Sequence, residues 1–86
     1  MRDCTIDDAR MARIYKRISQ NVRRARKERN VSQLALALEM GYKAVGSVSL
    51  AELGVQNKHF NIEHLVKIAQ ILEVDISRFF DGIWDE

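Results

Sequence analysis

The segment from residue 31 to 54, VSQLALALEMGYKAVGSVSLAELG, constrains the fold more than any other part of the chain. Ser32 is a good N-cap, because its hydroxyl accepts a hydrogen bond from one of the free N–H groups that begin a helix. A helix is therefore predicted at about 33–40, where Leu and Ala favour helix. Gly41 follows, and glycine tolerates the positive φ that a sharp turn after a helix requires. The pattern predicts a helix that ends in a tight turn.

A second short helix is predicted after the turn, somewhere between Lys43 and Leu53, and Gly54 ends it. Two helices that cross at roughly 90–120° through a short turn leave no space for a large side chain at the crossing, and Ala37 meets that requirement. Apolar residues on both helices would lock the pair to the rest of the domain: Leu36, Met40, Val48 and Ala51. This order is typical of a helix-turn-helix.

The chain before this segment indicates a long amphipathic helix over about 6–29. One apolar stripe recurs there every three or four residues: Ile14, Ile18, Val22 and Ala25. Such a stripe is the core-facing side of a helix. Thr5 is the predicted N-cap, and Asn30 suits a left-handed residue at the end. Because Ser19 can also cap a helix, the pattern leaves open whether this region is one helix or two.

Two more helices are predicted after a loop from residue 55 to 60. Asn61 can cap a fourth helix, and Asp75 can cap a short fifth helix that Gly82 ends. Their apolar faces are Ile62, Leu65, Val66, Ala69 and Leu72 in the fourth and Ile76, Phe79 and Phe80 in the fifth. With no proline and little strand alternation, the sequence predicts an all-α fold of five or six helices.

Charge is unevenly distributed along the chain. Ten of the fourteen basic residues lie in the first 29, whereas from His59 onward there are six acids and two bases. A single basic face is typical of proteins that bind a polyanion such as nucleic acid. A solvated helix face explains the same distribution equally well, so charge alone does not decide between them.

The sequence contains no pattern typical of an enzyme, a cofactor site or a membrane segment. Cys4 is the only cysteine, and no apolar run approaches the ~20 residues that span a bilayer, so we expect a cytoplasmic protein. His59 and His64 lie five residues apart, which is neither a zinc-ligand spacing nor a nucleophile pair. We therefore expect no metal, no cofactor and no enzymatic activity. His64 is predicted to be an exposed helix residue.

At this point the chain resembles the lambda-repressor-like (Xre-type) helix-turn-helix family over about residues 17–81. The residues that carry the resemblance are Arg26, Val31-Ser32-Gln33, Ala37, Gly41, Glu52-x-Gly54, Leu65 to Ala69, Leu72 to Ile76 and Phe79-Phe80. The resemblance implies a five-helix DNA-binding domain. Residues 1–16 would be an extra N-terminal helical extension, which would cover the core, dimerise or lie along DNA, and residues 82–86 would be a C-terminal tail.

The resemblance also implies roles for individual residues. Gln33 would bind a backbone phosphate at the start of the second helix, and Arg26 and Glu52 would form a largely buried ion pair. Phosphate contacts are further expected from Gln56, Asn57 and Lys58. Base contacts are expected from the third helix, at Lys43, Ala44, Ser47, Ser49 and Leu50.

Two features of these residues shape the functional prediction. The stretch from residue 43 to 50 has no Arg, Asn or Gln, the residues that make bidentate contacts to bases, so specificity is expected to depend partly on DNA shape. Relatives in the family commonly dimerise through the fifth helix, which would place two recognition helices ~34 Å apart. The residues expected at that interface are Ile76, Phe80, Ile83 and Trp84.

The sequence thus predicts a DNA-binding transcriptional regulator, a repressor or controller, that binds a two-fold operator as a homodimer through residues 33–53. The alternative is a protein-interaction module on the same scaffold, such as the antitoxin of a toxin–antitoxin pair. The weakly polar third helix is the feature that favours this alternative.

Overall fold

The computed structural model describes residues 5–42, 46–54 and 58–84. These parts of the chain contain no strand. Their helices are α1 (Asp8–Glu28), α2 (Gln33–Glu39), α3 (Gly46–Leu53), α4 (Ile62–Leu72) and a 3₁₀ helix (Ile76–Phe80). The predicted all-α class is confirmed. The fifth helix, however, is a single short 3₁₀ segment, so the described residues form four α-helices where five were expected.

Helix α1 is continuous over 21 residues and does not break at Ser19. The Ser19 side chain is buried, and its hydroxyl donates to the carbonyl of Ala51 at 2.8 Å. The helix begins later than predicted: Asp7, not Thr5, is the N-cap, with Oδ1 accepting from the N–H of Arg10 at 2.7 Å. Asp7 also places its negative charge at the positive end of the helix dipole, an advantage that threonine lacks.

Helix α2 has the predicted cap and the predicted turn. Ser32 accepts a hydrogen bond from the N–H of Ala35 at 3.0 Å. At the other end the N–H of Tyr42 bonds the Ala37 carbonyl at 2.9 Å, and the N–H of Gly41 bonds the Leu38 carbonyl at 3.0 Å. These two bonds form a Schellman motif, which needs a left-handed residue, and Gly41 has a φ of 92°.

Helix α4 has the predicted N-cap, Asn61, and ends without a glycine. Asn61 and His64 form a reciprocal capping box. At the end of the helix Glu73 takes the left-handed conformation, with a φ of 57°, and the N–H of Val74 bonds the carbonyl of Ala69 at 3.0 Å. The chain then turns through Asp75, whose carboxylate accepts from the N–H of Ser77 at 2.9 Å and starts the 3₁₀ helix.

One hydrophobic core joins all five elements. Phe79 of the 3₁₀ helix is fully buried, and the buried Asn21 side chain donates to the carbonyls of Phe79 and Asp81 at 2.9 Å each. The core residues are Ile14, Ile18, Val22, Ala25, Leu36, Ala37, Met40, Val48, Ala51, Phe60, Leu65, Ile68, Ala69, Leu72 and Phe79. Every apolar residue that was predicted to lock α2 and α3 to the domain is therefore buried. Within the described residues, no helix combines the length and apolarity needed to cross a membrane.

Candidate nucleic-acid interface

Helix α3 presents an uncharged face to solvent. Its buried side consists of Val48, Ala51 and Glu52, and these pack against α1 and α2. The opposite side consists of Gly46, Ser47 and Leu53, which are exposed, with Ser49 and Leu50 half-buried at its edges. Three of the expected base-contacting residues, Ser47, Ser49 and Leu50, therefore lie on or beside the outward face. Lys43 and Ala44 lie outside the described residues, as do Gln56 and Asn57.

A buried ion pair fixes the orientation of α3. Arg26 donates from Nε to Oε2 of Glu52 at 2.7 Å and from Nη2 to Oε1 at 3.1 Å. Its Nη1 also donates to the carbonyl of Val31 at 2.8 Å, just before α2. The two side chains are 9% and 2% exposed. Since this bidentate geometry is directional, the pair sets how α1, α2 and α3 lie relative to one another.

Gln33 joins the same network. Its Nε2 donates to Oε1 of Glu52 at 3.0 Å, and the residue is half-buried at the first position of α2. An amide nitrogen carries two hydrogens, so one N–H remains for a ligand. The residue borders a cavity of about 430 Å³ beside the start of α2, where free backbone N–H groups favour an anion. The cavity is lined by Arg23, Arg26, Ser32, Gln33, Ser49, Glu52 and Leu53.

On the other side of α3, Tyr42 and His64 hold the turn after α2 against α4. His64 Nδ1 accepts from the N–H of Asn61 at 3.1 Å, so the neutral ring carries its proton on Nε2. That proton is donated to the hydroxyl of Tyr42, at 2.6 Å. The edge of Phe60 also meets the His64 ring, with ring centroids 6.3 Å apart.

The prediction that His64 is an exposed helix residue is wrong, because these contacts leave it half-buried. Burial disfavours the charged ring and lowers the pKa of His64 below 6.5. Among nearby charges, Glu63 opposes this shift, whereas Lys67 and His59 add to it. The side chain therefore acts as a neutral hydrogen-bonding group in this structure.

The loop after α3 is attached to α1 through an aromatic stack. The rings of Tyr15 and His59 lie parallel, with centroids 3.9 Å apart and an interplanar angle of 16°. Lys58, one of the expected phosphate-contacting residues, is exposed next to this stack. Beside it lies a cavity of about 250 Å³, lined by Ala12, Tyr15, Lys16, Leu53, Gly54, Lys58 and His59.

The four residues expected at a dimer interface have different environments. Ile76, Phe80 and Ile83 are half-buried and pack against the core. Trp84 is 66% exposed, and the guanidinium carbon of Arg10 lies 5.0 Å from its ring centroid. Trp84 is therefore the largest apolar surface at this end of the described chain. No group of metal-ligating side chains occurs among the described residues.

Sequence patterns did not reveal several residues that shape the site. Ser19 and Asn21 anchor α1 to α3 and to the 3₁₀ helix, and their position beside the apolar stripe was a usable signal. Tyr42 and Leu53 gave no local signal, because their roles depend on which residues meet them in space. Leu53 is 63% exposed and borders the cavities on both sides of its helix end.

Together, the capped α2, the turn at Gly41, and α3 held by a buried ion pair define a helix-turn-helix domain. The model of the helix-turn-helix family matches residues 22–79, well over half of the chain. The chain belongs to the lambda-repressor/Xre-type helix-turn-helix family, whose members are DNA-binding regulators. No curated protein and no solved structure matches it. The match begins at Val22, so residues 8–21 of α1 lie ahead of it.

Proposed function

We propose that this chain is a cytoplasmic transcriptional regulator, a repressor or controller, that binds a two-fold DNA operator as a homodimer. In this proposal the outward face of α3 enters the major groove. The start of α2 lies against a phosphate, which Gln33 and the free N–H groups of the helix bind. The protein acts by binding and not as an enzyme.

The observation that carries the proposal is the shared use of Glu52. One carboxylate bonds both Arg26, which orients α3, and Gln33, which lines the cavity at the start of α2. Helix α3 and the Gln33 amide, the two groups that we propose to contact DNA, are thereby held in one fixed relation. Such preorganisation is what recognition of a rigid duplex requires.

The chemistry of the α3 face determines how sequence would be recognised. Ser47 and Ser49 can bond base edges, and the methyl groups of Leu50 and Leu53 can contact thymine methyls. None of these described residues makes the bidentate contacts that discriminate most strongly between bases. We therefore propose that specificity depends substantially on groove width and DNA deformability.

Selection of bound duplexes from a random pool tests the proposal directly. A selected sequence that is palindromic, with half-sites about one helical turn apart, would support both DNA binding and the dimer. Affinity should also fall steeply with salt, with a slope near −0.9 for each phosphate neutralised. The absence of binding to any duplex at low salt would refute the proposal.

Gln33→Ala tests the phosphate contact. We expect affinity for the selected duplex to fall about tenfold, as for loss of a hydrogen bond to a charged group worth ~1.5 kcal/mol. Gln70→Ala is the matched control, because Gln70 is an exposed glutamine on α4. Thermal melting of both variants separates an effect on binding from an effect on folding. Equal DNA affinities for the two variants would show that Gln33 does not contact the DNA.

Trp84→Ala tests the dimer. A large exposed aromatic side chain is a typical anchor of a protein interface. We expect the variant to shift toward the monomer in sedimentation velocity and to lose affinity for a two-site duplex more than for a half-site. A wild-type chain that remains monomeric at all concentrations would contradict the homodimer.

The second candidate is a protein-binding module, and Leu53 is the observation that favours it. This side chain is 63% exposed at the end of the uncharged α3 face, where a protein partner could bury it. Leu53→Ser separates the candidates: it should abolish capture of a protein partner. On DNA, by contrast, it should weaken binding without changing the salt dependence.

A further inference from the structure

Lys16 belongs to the part of α1 that precedes the family match, and it lies near the proposed DNA interface. Lys16 is exposed and lines the cavity of about 250 Å³ together with Lys58 and the end of α3. The stack of Tyr15 on His59 fixes this arrangement, since it joins the turn of α1 that bears Lys16 to the residue after Lys58.

The position of Lys16 on the helix places it in line with a second cation. Arg23 lies seven residues further along, which is about two turns, so both side chains leave the same edge of α1 roughly 10 Å apart along its axis. Arg23 lines the cavity at the start of α2, and Leu53 borders that cavity as well as the one that contains Lys16. The two cations therefore lie on either side of the exposed end of α3.

We propose that Lys16, together with Lys58, binds a phosphate of the DNA backbone and so extends the interface beyond the matched domain. This inference rests on the proposed function and adds a contact from the N-terminal part of α1. Lys16 would bind on one flank of α3, while Arg23 and Gln33 lie on the other.

The electrostatics of the cavity favour an anion. The two lysines approach the same space, and none of the described residues that line it is acidic. None of the ion pairs within the described part of the chain involves either lysine. Like charges brought together raise the free energy of the unliganded protein, and a bound phosphate would relieve that repulsion.

A structural role for Lys16 must be separated from DNA binding. Cations near a helix C-terminus interact favourably with the helix dipole, and Leu53 is the last residue of α3. If Lys16 serves only this purpose, its removal should lower the melting temperature. If it binds phosphate, its removal should instead reduce the dependence of DNA affinity on salt.

The test compares Lys16→Ala with Arg24→Ala in the full chain, on the selected duplex, over a series of salt concentrations. Arg24 is a matched control because it is an exposed cation on the same helix that lines neither cavity. We expect Lys16→Ala to reduce the magnitude of the salt slope by about 0.9, the value for one phosphate contact. The expected melting temperature is unchanged, and Arg24→Ala should retain the wild-type slope.

A second pair of variants tests the positioning role of the aromatic stack. Tyr15→Phe keeps the ring on His59, whereas Tyr15→Leu removes it. We expect Tyr15→Phe to retain the wild-type salt slope and Tyr15→Leu to approach the slope of Lys16→Ala. Equal slopes for both variants and the wild type would show that the stack does not position the lysine.

The outcomes distinguish this inference from the proposed function. If Gln33→Ala weakens binding while Lys16→Ala leaves the salt slope unchanged, DNA binding stands and the Lys16 contact is refuted. A lower melting temperature with an unchanged salt slope would show that Lys16 stabilises the C-terminal end of α3 and does not bind phosphate. If the wild-type chain binds no duplex at low salt, both proposals fail.

Discussion

Two joints between helices flank α3, and they are held in opposite ways. The ionic joint consists of Arg26, Glu52 and Gln33, and it fixes α1 and α2 to α3 through buried charges. The neutral joint consists of Tyr42, Asn61 and His64, and it fixes the turn after α2 to the start of α4 through uncharged groups. The comparison shows that α3 is held next to the proposed phosphate site by charged, directional hydrogen bonds. The opposite side depends on the protonation of one ring.

The two joints should differ most in how they respond to losing a single member. Removal of one charge from a buried pair leaves its partner desolvated and unpaired, which typically destabilises a protein by ~3–5 kcal/mol. Removal of a neutral cap exposes backbone groups that water can partly satisfy, and this typically costs ~1 kcal/mol. The ionic joint is therefore expected to be the less tolerant one.

Arg26→Ala should produce the largest effect. The variant leaves Glu52 without its partner and Val31 without the donor to its carbonyl, so we expect the free energy of unfolding to fall by ~3–5 kcal/mol. Chemical denaturation measures this change. Arg24→Ala, an exposed arginine on the same helix, should stay within about 0.5 kcal/mol of the wild type. If Arg26→Ala lowers the free energy of unfolding by less than about 1 kcal/mol, the ionic joint is no less tolerant of substitution than the neutral joint.

Replacing both charges tests whether the ionic joint stabilises the fold or only its orientation. Apolar replacements of a buried ion pair are often neutral or stabilising, so Arg26→Met combined with Glu52→Leu should recover most of the stability lost by Arg26→Ala. Because Gln33 then loses its acceptor, DNA affinity should remain reduced. A double variant as unstable as the single one would show that desolvation of the lone charge is not the cause.

Asn61→Ala should have the next largest effect. It removes the N-cap of α4 and one half of the capping box, and we expect a loss of ~1–2 kcal/mol in the free energy of unfolding. Ser32→Ala removes a single cap bond at the start of α2 and should cost ~1 kcal/mol or less. Denaturation of the two variants side by side compares them. A larger loss for Ser32→Ala would show that the bond from the N–H of His64 to the Asn61 side chain contributes less than the single cap bond of α2.

The neutral joint should also make stability depend on pH. The pKa of His64 is lowered below 6.5 by burial, so as pH falls through 6.5 the unfolded chain takes up a proton before the folded chain does. This contribution to stability is therefore complete above pH 6.5 and is lost as pH falls toward the lowered pKa of the folded state.

His64→Gln provides the matched test of this pH dependence. Glutamine can accept the same bond from the N–H of Asn61, because a capping box uses Glu or Gln at this position, but it does not titrate. We expect the melting temperature of the wild type to fall more than that of the variant between about pH 7.5 and about pH 5.5. Parallel curves for the two proteins would show that His64 does not couple folding to pH.

The sequence predicted local features well and long-range partners poorly. The caps Ser32, Asn61 and Asp75 were predictable because each bonds a backbone N–H within three residues. His64 was mispredicted because its partner Tyr42 lies 22 residues away, and spacing on its own helix does not reveal it.

The ionic joint illustrates what lies beyond local patterns. Arg26 and Glu52 lie 26 positions apart in the sequence, so no local spacing predicts that they form an ion pair. Only the family resemblance indicated this pair. Likewise, Glu73 ends α4 in a left-handed conformation that glycine usually adopts, so no local residue type marked that helix end. For the proposed interface, the sequence identified α3 and three residues on or beside its outward face, but not Leu53 or Lys16.

Glu63→Gln and Lys67→Ala should have the smallest effects on stability. The two side chains form an exposed pair one helical turn apart, at 3.4 Å, with side chains 74% and 49% exposed. Surface pairs of this kind contribute about 0.3–0.5 kcal/mol, so each variant alone should melt close to the wild type at neutral pH.

Their effects on the pH dependence should nevertheless be opposite in sign. Glu63 raises the pKa of His64 and Lys67 lowers it. Glu63→Gln should therefore widen the pH range over which stability is lost, whereas Lys67→Ala should narrow it. Titration of the His64 ring by NMR in both variants measures the two shifts directly. Shifts in the same direction would mean that the charges on α4 do not act on the ring through space, and that the pH response of the neutral joint arises from burial alone.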